Sequence, residues 1–332
     1  MSAPLITVLL PVYNGAADIE KAIASVLAQT FANFELLIIN DGSRDNTAEL
    51  LNRFDDPRIR CIHQVNHGLA ATLNRGCSMA KGEFIARQDQ DDLSRPTRLE
   101  KQLAYMHLHQ DCALLGTWAE IHVGDQPTDR SHDHATEHGM LCLDLLFNNP
   151  FVHSSVMFRR DAILEIGGYA SDPDRQPPED YELWSRMARR YKIANLPERL
   201  LIYREVPQSM SRTGANPFLE KMVTICAENL AYASGLKTPS VACVDVAALT
   251  HSAYHRLSAR PDFQEMQSLL DAATKNIAAT SVMPLEVQRA SRERENTLRH
   301  QYVIYKTNTG WLRPVARSLR NFTRRLLRNF RR

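Results

Sequence analysis

The first 120 residues alternate short apolar runs with amphipathic stretches, a pattern that predicts strands and helices in turn. Strands are predicted at residues 6–11, 35–40, 59–63 and 84–87. Helical spacing after Asp18, near residues 47–54 and over 69–80 predicts helices between them, with Asp18 as a cap. Because strand and helix alternate, we expect a mostly parallel, helix-covered sheet that binds ligands beyond the carboxyl ends of its strands.

Strand signals stop in the second part of the chain. From about residue 216 helical spacing dominates, with breaks near residues 235–239, Pro261 and Pro284. We therefore expect an α/β domain over residues 1–215, a helical appendage over 216–310 and a separate segment over 311–332.

The segment 311–332 holds eight arginines and no acidic residue. Its apolar residues recur every three or four positions opposite the arginines, which predicts a basic amphipathic helix at an anionic membrane surface. In one alternative, the apolar stripe packs on the appendage and the arginines face solvent. In another, the segment binds nucleic acid as its polyanion.

Composition narrows the class of protein. With 44% hydrophobic and 23% charged residues, the 332-residue chain has the usage of a globular protein, which excludes a disordered or collagen-like one. Residues 1–310 carry 32 basic against 38 acidic groups, which argues against a nucleic-acid binder. The six cysteines form no C-x-x-C pair and no signal sequence or apolar run of 18 residues occurs, so we expect reduced thiols in a cytosolic, non-spanning protein.

The strand at residues 84–87 leads directly into the sequence Gln88-Asp89-Gln90-Asp91-Asp92. In extended backbone Asp89 and Asp91 point to the same side, where their carboxylates repel unless a cation lies between them. This favours Mg²⁺ or Mn²⁺, which takes one or two protein carboxylates and completes its shell with water and phosphate. The alternative is a solvated acidic turn in which Asp92 or Ser94 caps the next helix.

Several motifs in order along the chain resemble bacterial family 2 glycosyltransferases of the GT-A fold. The resemblance covers about residues 4–205. It is carried by VLLPVYNG (8–15), NDGS (40–43), Asn66-x-Gly68, LNRG (73–76), AKGE (80–83), IAR (85–87), DQDD (89–92), PTRL (96–99), HSSVMFRR (153–160) and GGY (167–169).

The resemblance implies a donor site at the carboxyl ends of the strands. Asp41 would accept hydrogen bonds from the base, since a carboxylate suits a ring N–H, and Arg75 would approach the donor. Asp89 would meet the ribose or the metal, and Asp91 would ligate the metal that bridges the phosphates. The remaining residues implied to hold the nucleoside are Pro11, Val12, Tyr13 and Asn14.

A second acidic pair, Glu179-Asp180, follows two prolines at a predicted helix start, where the helix dipole stabilises negative charge. By itself it reads as an N-cap. In the family this pair supplies the catalytic base, a role that the resemblance assigns to Asp180. It also implies inversion by a single displacement, with His153, Glu179 and Trp184 on the acceptor side. Glu205-Val206 stands where relatives often carry a histidine, which weakens the case for a third metal ligand supplied by histidine.

These features together predict a metal-dependent inverting glycosyltransferase. We expect a nucleotide-sugar donor, with uridine diphosphate favoured, and a hydroxyl acceptor on a cell-surface glycan or lipid-linked precursor at the cytoplasmic face of the membrane. The competing hypothesis is a catalytically silent relative that serves as a membrane scaffold. The sequence His134-x-x-Glu137-His138 matches a zinc peptidase pattern but lies in a polar stretch, so a metalloprotease is disfavoured. A dinucleotide-binding oxidoreductase is also disfavoured, because no G-x-G-x-x-G follows the first strand.

Overall fold

In the described part of the chain, all strands lie within residues 3–206. The computed structural model describes residues 3–206 and 218–309. The strands are β1 (Ile6–Val12), β2 (Phe34–Asp41), β3 (Ile59–Gln64), β4 (Phe84–Arg87), β5 (Leu93–Ser94), β6 (Cys112–Val123), β7 (Gln126–His132), β8 (Met157–Arg159) and β9 (Lys192–Glu205).

Helices cover the sheet and form the described part of the chain from residue 218 onward. They are α1 (Ile19–Leu27), α2 (Thr47–Leu51), α3 (Leu69–Met79), α4 (Arg98–Leu108), α5 (His138–Asp144), α6 (Arg160–Glu165), α7 (Glu179–Ala188), α8 (Leu219–Ala233), α9 (Val241–Thr250), α10 (Phe263–Thr280) and α11 (Pro284–Thr309). Short 3₁₀ helices occupy His153–Ser155 and Tyr254–Arg256.

The described strands form one sheet in the order β3-β2-β1-β4-β8-β6-β9-β5, with β7 paired to β6. The neighbours β3, β2, β1 and β4 are parallel, as predicted, whereas β8 is antiparallel to both β4 and β6. The expected helix-covered α/β fold with carboxyl-terminal helices is therefore confirmed. The parallel pairing brings the carboxyl ends of β1, β2 and β4 to one edge of the sheet.

Strands β1 and β2 are buried along their whole length, which explains their continuous apolar sequences. On one face Leu9 and Leu37 belong to a core that includes Leu73 of α3, and on the other Leu10 belongs to a core that includes Ile23 of α1. The first core continues through Trp184 of α7 into Val223 and Leu230 of α8. The carboxyl-terminal helices thus share the hydrophobic core that supports the sheet.

Two expected helix caps are wrong. Asp18 occupies the N-cap position of α1, but its side chain makes no capping bond and accepts instead from Arg204 Nη1 at 2.7 Å. Helix α4 begins at Arg98 after Thr97, so neither Asp92 nor Ser94 caps it. The predicted boundary at residue 215 and the segment 311–332 lie outside the described residues.

The turn Gly167-Gly168 joins α6 to the region before α7, and both glycines have positive φ, +87° and +70°. Asn74 on α3 holds the next residue: its Oδ1 accepts from the Tyr169 amide and its Nδ2 donates to the Tyr169 carbonyl, both at 2.8 Å. A Cβ on Gly168 would lie 2.3 Å from Asn74 Oδ1, whereas a Cβ on Gly167 would meet nothing within 4 Å. Position 168 therefore requires glycine for space as well as for backbone conformation, whereas position 167 requires it for conformation alone.

We predict that Gly168→Ala is more destabilising than Gly167→Ala. Both variants incur the left-handed backbone penalty of about 1–2 kcal/mol, but only the first displaces Asn74 and its two hydrogen bonds, which adds about 1–3 kcal/mol. Denaturant unfolding measures the difference, and Gly167→Ala is the matched control. Equal losses in the two variants would contradict the steric argument.

Candidate active site

The acidic turn after β4 is organised around the guanidinium of Arg87, which is wholly buried. Its Nη2 donates to Asp89 Oδ1 at 2.6 Å, while the other oxygen of Asp89 accepts from the Ser154 hydroxyl at 2.8 Å. The same hydroxyl bonds Asp92, a carboxylate that also accepts from the Arg204 amide at 2.9 Å. The turn is therefore a hydrogen-bonded unit and not a solvated acidic loop.

A second buried arginine, Arg98, supports the turn from below. It donates to Ser94 Oγ at 2.8 Å and to the carbonyl of Arg87 at 2.7 Å. Arg98 has no exposed surface, so these bonds replace the water that its charge would otherwise bind. The two arginines fix the position of the backbone from which the aspartates project.

The three aspartates of the turn differ in their readiness to ionise. Burial is the largest single influence and would raise the pKa of Asp89, but the Arg87 guanidinium and the other groups around the carboxylate, Ser154 among them, together outweigh it, and the pKa lies below its ordinary value. Burial and the neighbouring Asp89 raise the pKa of Asp91 to about 6. The same two causes raise the pKa of Asp92 well above its ordinary value. Asp91 thus lies beside a carboxylate that remains charged, and a cation nearby would stabilise the ionised form of Asp91.

The donor set fits Mg²⁺ or Mn²⁺. No side chain among the described residues donates to the Asp91 carboxylate, whereas Asp89 already has Arg87 and Ser154 as donors. Among residues 3–206 and 218–309 no group of three His, Cys, Asp or Glu residues is placed to hold a metal. One or two carboxylates are what these ions usually take from a protein when phosphate and water supply the other ligands.

The second acidic pair lies in the first turn of α7, where the dipole favours negative charge. Asp180 accepts from Asn149 Nδ2 at 2.8 Å and from the Tyr181 amide at 2.7 Å, which fixes its orientation. Burial and the charge of Asp180 raise the pKa of Glu179 to about 7. Burial also raises the pKa of Asp180 itself.

The 3₁₀ helix His153–Ser155 joins the two acidic groups. Ser154 contacts Asp89, and the adjacent His153 places its Nδ1 3.9 Å from Glu179 Oε1 and its Nε2 2.9 Å from the Tyr169 hydroxyl. Burial and then Arg87 lower the pKa of His153 to about 3, so its imidazole is neutral at physiological pH. Asp89 also contributes to the raised pKa values of Glu179 and Asp180, which places both acidic groups in one electrostatic neighbourhood.

On the donor side, Asp41 lies at the end of β2 and is 4% exposed. Its carboxylate accepts from Gln64 Nε2 at 2.6 Å and from the amides of His67 and Gly68, both at 2.9 Å. Arg75, exposed on α3, donates to Gln64 Oε1 at 2.5 Å. Gln64 therefore joins Asp41 and Arg75 into one unit beside the loop that contains Gly68.

The loop after β1 is held by Gln90, the residue between Asp89 and Asp91. Gln90 accepts from the Tyr13 amide at 2.9 Å and donates to the Tyr13 carbonyl at 3.3 Å. Asn14, with φ of +50°, accepts from the Arg44 amide at 2.8 Å. Tyr13 is 42% exposed and free to stack on a ligand, while Pro11 and Val12 are buried.

Trp184 does not line the acceptor side as expected, because it is completely buried. It packs edge-on against His153 and Tyr169, with ring centroids 5.8 and 6.3 Å away. Trp184 thus supports His153 and Tyr169 from within the core. Helical spacing placed it correctly on α7 but did not show which face of the helix is turned inward.

The histidine pattern at residues 134–138 has a structural role. Glu137 caps α5, accepting from the amides of Gly139 and Met140 at 2.8 and 3.1 Å. The His138 ring faces Cys142 and the amide of Ile193, and the His134 ring stacks on His132. These contacts use the glutamate and turn the two histidines to different neighbours, so they offer no zinc site.

Several residues that organise the site were missing from the candidates. They share amide, hydroxyl or guanidinium groups that bond across the sheet edge. They are Gln64, Gln90, Asn149, Ser154 and Arg204. Ser154 and Gln90 lie inside motifs quoted in the sequence analysis, so their position in those motifs could have marked them as candidates. The other three depend on contacts between elements far apart in the chain.

A mostly parallel, helix-covered sheet with acidic side chains beyond the carboxyl ends of its strands is the arrangement of GT-A glycosyltransferases. Residues 7–167 match the model of the family described as Glycosyl transferase family 2. The chain belongs to this family.

Curated relatives carry the same class of name. An uncharacterized glycosyltransferase of Haemophilus influenzae is 31% identical over 242 residues, covering 70% of this chain and 75% of the relative. The O-antigen biosynthesis glycosyltransferase WbnJ of Escherichia coli is 34% identical over 207 residues, covering 60% of this chain and 79% of the relative. The protein is therefore a glycosyltransferase.

Solved structures share its fold. TarS of S. aureus, residues 1–349 in complex with UDP-GlcNAc, aligns with a TM-score of 0.61 at 14% identity over 92% of this chain and 93% of that one. The mannosyltransferase PcManGT of Pyrobaculum calidifontis, in complex with GDP-Man and Mn²⁺, aligns with a TM-score of 0.52 at 16% identity over 93% and 89%. Among the described residues no helix is long and apolar enough to cross a bilayer.

The raised pKa of Glu179 predicts a pH-dependent loss of stability in metal-free protein. The folded state holds the proton up to a pH of about 7, the unfolded state only to about 4.5, so the carboxyl disfavours folding as pH rises through this window. Glu179→Gln removes the effect. The free energy of unfolding of the variant relative to wild type should rise by up to about 3 kcal/mol between these pH values.

Urea unfolding at several pH values, with a chelator present, measures this difference. Glu265→Gln on the exposed face of α10 is the control, and its curve should stay parallel to that of wild type. If the curve of Glu179→Gln were also parallel to that of wild type, the raised pKa of the buried Glu179 carboxyl would be contradicted.

Proposed function

We propose that the protein is a metal-dependent, inverting glycosyltransferase that moves a sugar from a uridine diphosphate donor to a hydroxyl of a cell-surface glycan or lipid-linked precursor. The observation that carries the proposal is the convergence of the Asp89 group and the Glu179-Asp180 pair around His153 and Ser154. The names of WbnJ and TarS support it, the first through O-antigen biosynthesis and the second through its UDP-GlcNAc ligand.

The donor nucleoside would lie over the loop after β1, against Asp41 and Tyr13. Tyr13 presents an exposed ring, and Asp41 presents a carboxylate that only accepts hydrogen bonds, which suits a ring N–H of the base. Asp41 has one acceptor position left on Oδ2, which takes a single bond from Gly68. Arg75, joined to Asp41 through Gln64, would add positive charge beside the diphosphate.

Asp91, with Asp89 beside it, would hold the divalent cation, which when bound neutralises charge on the departing nucleoside diphosphate. Arg87 keeps Asp89 ionised before a metal binds, so this carboxylate would be ready to ligate it. Arg204 donates to the backbone carbonyl of Asp91 at 3.1 Å and holds the turn in place.

Asp180 would act as the general base. Asn149 and the Tyr181 amide orient its carboxylate, and its raised pKa makes it a better proton acceptor than an ordinary aspartate. It would take the proton of the acceptor hydroxyl as that oxygen attacks the anomeric carbon from the face opposite the leaving diphosphate. Such an attack inverts the configuration. Glu179 and the neutral His153 would line the acceptor side.

Asp180→Asn and Asp91→Ala should each lower donor turnover, measured as nucleotide diphosphate release, by about a hundred- to ten-thousand-fold. Asp161→Asn is the matched control, because this aspartate side chain is 92% exposed on α6 and should leave turnover unchanged. Full activity of either site variant would remove the role assigned to that residue.

Binding separates the two roles. Calorimetric affinity for uridine diphosphate should depend on Mn²⁺ in wild type and in Asp180→Asn, and should lose that dependence in Asp91→Ala. A catalytically silent scaffold predicts instead that no donor is turned over and that none of these substitutions changes membrane association.

We also propose that the basic segment 311–332 places the enzyme at the cytoplasmic face of the membrane, where a lipid-linked acceptor would lie. Its eight arginines, unopposed by acidic residues, support this proposal. Each basic group near an anionic surface contributes about 1 kcal/mol, and salt weakens the attraction.

Removal of residues 311–332 should release the protein from vesicles rich in phosphatidylglycerol, measured by co-sedimentation at low and high salt. Vesicles of phosphatidylcholine are the control and should bind neither form. Equal binding of the full and shortened chains to anionic vesicles would contradict the membrane role of the segment, and nucleic-acid binding lost on shortening would favour the other polyanion.

A further inference from the structure

A cavity of about 850 Å³ lies beside the carboxyl-terminal half of α7, between that helix and α5, α8 and α10. No residue of the acidic turn, of the Glu179-Asp180 pair or of the donor loop lines it. Its size is that of a pocket for a small organic molecule. The glycosyltransferase reaction leaves this cavity without a role.

One part of the cavity wall is apolar. The side chains that form it come from α7, α8, α10 and the segment after α5, and they are Leu145, Leu146, Ala188, Ala233 and Ile277. Leu145 and Leu146 are almost fully buried, so this wall belongs to the main core and is rigid. A hydrocarbon or aromatic body in the cavity would gain free energy from contact with this surface.

Another part of the wall is cationic. Arg189, Arg190 and Lys192 line the cavity against a single acidic lining residue, Asp111. Arg190 is taken by an ion pair with Glu165. Within the described part of the chain, Arg189 and Lys192 make no ion pair. The lining therefore carries positive charge available to a ligand.

Arg189 is oriented in advance. Its Nη2 donates to Asn229 Oδ1 at 2.9 Å and its guanidinium lies 5.1 Å from the centre of the Tyr232 ring. Asn229 is itself held, because its Nδ2 donates to the Leu145 carbonyl and to Ser185 Oγ, both at 2.8 Å. The Nε of Arg189 is buried and has no hydrogen-bond partner. A buried guanidinium N–H without an acceptor is costly, and a small rotation of the Arg189 side chain toward the cavity would let an anion there supply one.

We propose that this cavity binds a small amphipathic anion, a carboxylate or phosphate monoester carried on an apolar body. The anionic group accepts from Arg189 and Lys192, and the apolar body packs between Leu145 and Ile277. Neither part alone satisfies both walls, so a bare inorganic anion and an uncharged alcohol are both poor ligands.

Fluorescence titration of the full chain with 1-anilinonaphthalene-8-sulfonate tests the proposal. We expect one dye per chain, displaced by decanoate or decyl phosphate and at least about tenfold less well by decanol or inorganic phosphate. The tighter of the first two identifies the head group. Uridine diphosphate with Mn²⁺ should not displace the dye, since the donor site is elsewhere.

Arg189→Gln and Lys192→Gln should each weaken dye and decanoate binding about tenfold, with Arg292→Gln on the exposed face of α11 as the unchanged control. Lys192 is exposed, so its substitution tests the charge even if the Arg189 variant is poorly folded by circular dichroism. Wild-type affinity in Lys192→Gln and in any folded Arg189→Gln, or displacement of the dye by uridine diphosphate, would overturn the proposal.

Discussion

The active site depends on one buried charge, the guanidinium of Arg87 at the end of β4. A wholly buried cation is costly unless it is paired, and here the pairing with Asp89 is made at 2.6 Å. Four further carboxylates, Asp91, Asp92, Glu179 and Asp180, surround this pair, and all four have raised pKa values. The candidate site thus has the neutral Arg87–Asp89 pair at its centre and, around it, carboxyl groups that ionise less readily than usual. Such carboxyl groups would gain from binding a cation or from accepting a proton.

The amino-terminal half of the fold could be predicted because its signals are local. Strands β1 to β4 are short, apolar and separated by amphipathic helices, so periodicity and parallel pairing gave their positions to within two residues. The pairing of β6 with β9 could not be predicted, since it joins residues 112–123 to residues 192–205 with several irregularities in register. Only the tertiary structure decides which distant strand becomes the neighbour, and the polar strand β7 gave no apolar pattern to find.

The acidic residues of the site were found from motifs in order, whereas their supports were not. Asp18 and Asp92 had the sequence of helix caps, but Arg204, more than a hundred residues away, bonds the Asp18 carboxylate through its side chain and Asp92 through its amide. At Asp18, local propensity was overridden by a buried cation that needed acceptors. Trp184 likewise showed helical spacing, and only the packing of Phe151 and Phe158 against it shows that it belongs to the core.

Between Asp89 and Asp91, the amide side chain of Gln90 bonds both the backbone N–H and the carbonyl of Tyr13 in the loop after β1. Gly15 lies beside the same contact, and an added Cβ there would lie 2.6 Å from Val12 Cγ2 and 2.8 Å from Gln90 Oε1. The missing side chain of Gly15 therefore leaves the space that the Gln90 amide and the Val12 side chain occupy. Exchange of acidic turns between homologous enzymes would succeed only if the opposing loop is exchanged with them.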